Sequence, residues 1–190
     1  MTRALIVIAL LSLALCACTA GSSTTLRPAA DRPVIEPDGT FWDALEAARG
    51  NKPERMRLLL STDFVHRAIL PNVPRGEATD AEEYAASVQR MEKELAPFVS
   101  IRERLYLRYA QWLVEATRGR VIEASRAAYD IKYRDGYGGA SGPNTATVKV
   151  SLHASDSKVP KVFAVKFIQV GDAWRIDGFT PDPLFGEFIR

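Results

Sequence analysis

FAVKFIQVGDAWRIDGF, residues 163–179, is the stretch whose reading decides the fold. Its first half, extended back to Lys161, is apolar on both faces, the pattern of a strand with a neighbour on either side. Gly171 and Asp172 then turn the chain, and Ala173–Phe179 alternates with Trp174 and Ile176 on one face, so the segment reads as an antiparallel hairpin. Just upstream, ATVKVSLHA (146–154) alternates with Val148, Val150 and Leu152 inward, and SDSKVP (155–160) leads it into the hairpin. Three antiparallel strands are the minimum this pattern supports. Earlier still, from Val121, Ser125, Ala127, Tyr129, Ile131 and Tyr133 share one face, with Arg126, Asp130, Lys132 and Arg134 mainly on the other. That is a half-buried strand, joined to the next by the glycine-rich RDGYGGASGPNT (134–145).

The sequence before residue 121 has helical rather than strand periodicity. Thr40 suits an N-cap with Asp43 in the first turn, Phe41, Trp42, Leu45 and Ala48 recur at helical spacing, and Gly50 stops the helix. A second helix starts at Pro53 and carries Met56, Leu59 and Leu60; STDFVHRAILPNVPRG (61–76) follows as a turn or short helix running into a proline-punctuated loop. Thr79 and Glu82 form a capping box, ahead of the stripe Tyr84, Val88, Met91 and Leu95. In the segment 98–120, Ile101, Leu105, Tyr109 and Trp112 or Leu113 fit a helix, while IRERLYLRY also alternates like a strand. Periodicity leaves both open there, and helix is the expectation.

Helices first and a meander of strands afterwards predict an α+β fold, with N-terminal helices packed on a curved antiparallel β-sheet. FAVKFIQVGDAWRIDGF resembles the last hairpin of the nuclear transport factor 2-like (SnoaL-like, cystatin-like) cone, and FWDALEAARGNKPERMRLLLSTDFV (41–65) is similar to the paired first helices of such domains. The resemblance spans Thr40 to Pro183. It implies helices lying in the concavity of the sheet and, in the enzymes of that family, an Asp, His or Tyr inside the cone as general acid or base. It does not imply one function, because the family holds isomerases, dehydratases, transport adaptors and binding domains.

The N-terminus carries a different message. MTR is a short basic start, and Ala4–Leu15 is an apolar run of about twelve residues, the length of an export-signal core and short of the roughly twenty needed to span a bilayer. LCAC (15–18) resembles the bacterial lipobox, which implies that Cys18 is acylated and becomes the first residue of the mature chain. Cys16 would place bulky Leu15 where the peptidase accepts small residues, and it would leave with the leader. These are the two cysteines of the sequence, so the mature domain is expected to use neither a disulfide nor a thiol nucleophile. The expected organisation is a lipoprotein signal peptide at 1–17, a lipidated Cys18 and flexible linker at 18–39, and a single α+β domain at 40–190. The resemblance implies a place in the bacterial cell envelope, with membrane contact through the lipid anchor. Thr19, in a position where Asp would favour retention at the inner membrane, points to the outer membrane facing the periplasm.

Composition bounds the function further. Apolar residues are 47% and charged residues 25%, the balance of a globular domain, and once Arg3 leaves with the leader the basic and acidic side chains almost cancel. That excludes the basic excess of a nucleic-acid binder. The two histidines, His66 and His153, stand far apart with no carboxylate cluster at ligand spacing, so neither a metal nor another cofactor is expected. The weak candidates for proton transfer are Tyr129, on an inward strand face, and Asp63 with His66, three apart where one helical turn would pair them. Each has a commoner structural role: inward tyrosines are mostly core, and Asp/His pairs of this spacing mostly sit at helix surfaces and ends. Asp177 and Arg175 flank Ile176 and are expected to make cross-strand pairs. The expectation is a noncatalytic envelope lipoprotein that binds a protein, an envelope polymer or a small apolar ligand; the alternative is a small-molecule lyase or isomerase using the cone cavity.

Overall fold

In the computed structural model, residues 36–74, 78, 81–130, 143–185 and 187–188 are described. Five α-helices precede the sheet: α1 Pro37–Arg49, α2 Pro53–Leu59, α3 Thr62–Ile69, α4 Ala81–Leu95 and α5 Val99–Thr117. The strands are β1 Val121–Ala124, β2 Ala128–Asp130, β3 Thr145–His153, β4 Lys161–Val170 and β5 Ala173–Thr180. The α+β class and the helices packed on a curved antiparallel sheet are as expected. Cys16, Cys18, Thr79 and residues 131–142 lie outside the described residues.

The sheet runs β1-β3-β4-β5, with β2 also paired to β3. Val148, Val150 and Leu152 of β3 and Phe163, Val165 and Phe167 of β4 are all buried, and the opposite face carries Lys149, Lys166 and the exposed Val162. Strand β4 therefore holds the interior position its sequence suggested, although most of its outer face meets solvent. The outer edge of β5 is not left bare. Leu60, at the α2–α3 junction, bridges Ile176 in parallel, and Ser61 N donates to Ile176 O at 2.8 Å, which blocks edge-to-edge pairing there.

Helix α1 lies over the inner face, with Phe41, Ala44, Leu45 and Ala48 buried against α5 and the sheet. It begins at Pro37, four residues before the start expected with Thr40 as cap, because Pro37 supplies a preset φ at the first turn with Glu36 as the extended cap. Thr40 is consequently not a cap; from inside the helix its hydroxyl donates to Trp174 O at 3.1 Å and ties α1 to β5. The 98–120 segment is helix, α5, and its alternative strand reading fails because Leu105, Tyr106, Tyr109, Ala110 and Leu113 fall on one helical face and are all buried. Helix α4 docks mainly on α3 through Met91 and Leu95.

The long strand expected from Val121 breaks after Ala124 and resumes at Ala128. Tyr129 keeps its expected face, since it pairs with Ala146, which pairs with Phe167, both inward. It is not core, however. At the open end of the sheet it is 51% exposed, with its ring edge-on to Trp174 at 5.7 Å.

Candidate functional site

The β4–β5 register slips by one residue: Phe167 faces Ile176, Lys166 faces Gly178, and Asp177 is the extra residue of a β-bulge. Gly178 accommodates the slip at φ +153, a backbone conformation that side chains disfavour. Two consequences follow from the one insertion. Phe179 returns to the inner face, where strict alternation from Trp174 and Ile176 would have turned it outward. Asp177, without a cross-strand partner, is aimed at α3 instead.

There Ser61 Oγ donates to Asp177 Oδ1 at 2.7 Å, and Arg67 stands 3.0 Å from Oδ2. Ser61 does double duty, because its Oγ also accepts from Phe64 N at 2.9 Å and caps α3. Arg67, one helical turn after Asp63, pairs with that carboxylate too and donates to the carbonyl of Asp177. Burial pushes the Asp177 carboxyl above its ordinary pKa, with Asp63 adding to the push while Arg67 and Ser61 pull the other way. The expected cross-strand pairing of Asp177 and Arg175 is thus replaced by contacts to the helical layer, Arg175 donating to Leu58 O.

A cavity of about 370 Å³ opens beside this cluster. Phe64, Tyr109, Phe179 and Leu184 form its apolar side, and Arg67, Lys166, Asp177 and Asp182 its polar side. The cone behind it is filled. Tyr109 stacks on Phe179 at 5.5 Å, Trp112 meets Phe179 at 4.9 Å and Phe163 at 5.3 Å, and Phe41 continues the chain of rings. Tyr109 donates its hydroxyl to Asp182 Oδ1 at 2.9 Å, and burial, with the Asp182 charge, holds the phenol protonated far above the ordinary tyrosine range. The C-terminal segment closes one rim: Leu184 N donates to Asp182, Glu187 pairs with Arg108 at 2.7 Å, and Phe185 remains 86% exposed over the opening.

The residues proposed for proton transfer do not meet in this cavity. Asp63 and His66 separate: Asp63 goes to Arg67, whereas His66 is fully buried with Nε2 2.7 Å from Glu94 of α4. Tyr129 lies elsewhere, its phenol pKa raised by partial burial and then by Glu36 and Asp38. His153 sits on the outer edge against Glu123 at 3.1 Å. Among the described residues no three His, Cys, Asp or Glu are placed to hold a metal ion. Asp177, Arg67, Tyr109 and Asp182 were missed by sequence reasoning; the one available signal was Gly178, a glycine inside a strand, which commonly marks a bulge. No family model, curated protein or solved structure matches the chain.

Proposed function

We propose that the chain is a noncatalytic bacterial envelope lipoprotein, anchored through Cys18 in the outer membrane, whose domain binds a small apolar ligand in the cavity over Phe64, Tyr109 and Phe179. The observation that carries this reading is how the cavity distributes its polar groups. Both carboxylates are already engaged, Asp177 by Ser61 and Arg67 and Asp182 by Tyr109, which leaves the aromatic floor as the surface open to a guest. A volume of about 370 Å³ suits a small apolar molecule. The competing reading, a lyase or isomerase, now rests on Asp177 rather than on Tyr129, Asp63 or His66, since a carboxyl beside a cavity whose pKa burial raises is a candidate acid.

Binding is tested on the full chain in nonionic detergent with 4-phenylbutyrate, which has an aromatic ring and a short apolar chain. A rise in melting temperature that saturates with concentration, and that shrinks in Phe185→Ala, supports the proposal. No rise, or the same rise in Phe185→Ala, removes it. The anchor is tested separately by labelling cells with a fatty-acid probe: Cys18→Ser should abolish labelling and Cys16→Ser should preserve it.

A further inference from the structure

Helix α3 separates two cavities. Phe64, Arg67 and Ala68 face the one described above; Thr62 and Val65 face a second, of about 270 Å³, bounded by α2, α4, α5 and β5. Three arginines from three different elements line it: Arg57 of α2, Arg102 of α5 and Arg175 of β5. One carboxylate, Glu92 of α4, lines it with them.

The arginines are unequally committed. Glu92 is taken twice, accepting from Arg102 at 3.1 Å and from the Thr62 hydroxyl at 2.8 Å, so it neutralises Arg102 and has little left for the others. Arg175 uses Nη1 on the Leu58 carbonyl, and among the described residues its remaining N–H groups are not spent on a carboxylate. Arg57 makes no ion pair or hydrogen bond among the described residues. The lining therefore carries an excess of two positive charges in a recess, where their repulsion is relieved by a bound anion.

We propose that this second cavity binds a phosphate group carried on a small organic ester, with Arg57 and Arg175 as its principal ligands. A phosphomonoester bears roughly −1.5 to −2 charge at neutral pH, which matches the excess. Guanidinium forks hold phosphate oxygens in pairs, an arrangement in which Arg is stronger than Lys. Leu58, 65% exposed at the rim, and Val170 give the ester substituent an apolar wall. The site is independent of the apolar cavity on the other face of α3, and neither needs the other to be occupied.

The test is calorimetric titration of the full chain in nonionic detergent with inorganic phosphate, glycerol 3-phosphate and dihexanoyl phosphatidic acid. Saturable binding of glycerol 3-phosphate is expected, with competition by inorganic phosphate and weakening by added salt. Arg57→Gln and Arg175→Gln should each lower affinity about tenfold, with Arg57→Lys falling between wild type and Arg57→Gln. Because Arg57 is exposed and makes no ion pair or hydrogen bond among the described residues, Arg57→Gln should leave the melting temperature unchanged, which separates lost binding from lost folding. Binding of the short-chain lipid as well as the monoester identifies a headgroup source; binding of the monoester alone identifies a soluble one. Absence of saturable heat with all three compounds, or equal affinity in wild type and Arg57→Gln, overturns the assignment. So does competition by 4-phenylbutyrate, which would mean that one cavity serves both.

Discussion

The two cavities flanking α3 are made in opposite ways. The first is cut into the aromatic core: its floor is Phe64, Tyr109 and Phe179, and its charges pair with one another, Arg67 with Asp63 and Asp177. The second lies along a seam between elements, with three arginines against one carboxylate. A cavity built from core residues cannot be altered without altering stability, and its self-paired charges leave shape and apolar surface to select a guest. A seam is free of that constraint. There an exposed arginine such as Arg57 changes at little cost to folding, and an unbalanced charge is what selects.

The sharpest way to break this contrast is Phe179→Ala. Phe179 is buried and touches the rings of Phe64, Tyr109, Trp112 and Phe163, so truncation should cost about 3–5 kcal/mol. Against a whole-domain stability of about 5–15 kcal/mol, that loss is visible as a large drop in the denaturant midpoint. Arg57→Gln in the seam should stay within about 0.5 kcal/mol of wild type. Similar midpoints for the two variants would show that the first cavity is peripheral to the core after all.

How far such a contrast can be read from sequence depends on what periodicity encodes. Alternation reports which residues of a strand share a face, and Val148, Val150, Leu152, Trp174 and Ile176 are buried as that rule requires. It says nothing of what packs on the far end of the strand. Tyr129 has the right face and stands at the open end, where little covers it. A bulge also defeats the rule outright: one extra residue at Asp177 shifts the parity, so a residue read as a cross-strand partner becomes the anchor of α3. Helix spacing has the same limit. Asp63 and His66 are near neighbours on α3, yet Arg67 one turn on and Glu94 on another helix offer each of them a better partner. The arginine seam was illegible for a plainer reason: Arg57, Arg102 and Arg175 are far apart in the chain, and only the packing of α2, α5 and β5 brings them together.

A middle-sized effect sharpens the claim that the first cavity satisfies its own charges. Asp177→Asn keeps the acceptor for Ser61 and removes the charge facing Arg67, which retains Asp63. A carboxyl whose folded pKa is raised binds its proton more tightly in the folded state than in the unfolded one. Its contribution to stability is full below the unfolded value of about 4 and is lost as pH rises through the folded value. The Asn variant carries no such loss. Its stability relative to wild type should therefore improve as pH climbs from about 4 toward neutrality, read from denaturant midpoints at a series of pH values. A relative stability that worsened with pH would mean that Arg67 dominates and that the carboxylate is ionised in the ordinary range.

The smallest effect expected is that of Tyr109→Phe, which leaves the ring stack intact and deletes one hydroxyl. Asp182 would lose the donor at 2.9 Å and keep Leu184 N at 3.0 Å, so the cost should be about 0.5–1.5 kcal/mol, the net worth of a single hydrogen bond. Asp182 also begins the segment that carries Leu184 and Phe185 to the cavity rim, and that segment should become easier to cleave with a C-terminal exopeptidase while the sheet stays protected. The phenol itself gives an independent check. Burial and the Asp182 charge keep it from ionising in the ordinary range, so tyrosinate absorbance followed up to about pH 11 should be the same in wild type and Tyr109→Phe. A smaller tyrosinate signal in Tyr109→Phe over that range would mean that Tyr109 ionises normally, that its hydroxyl is open to solvent, and that the floor of the first cavity is as wet as the seam on the other side of α3.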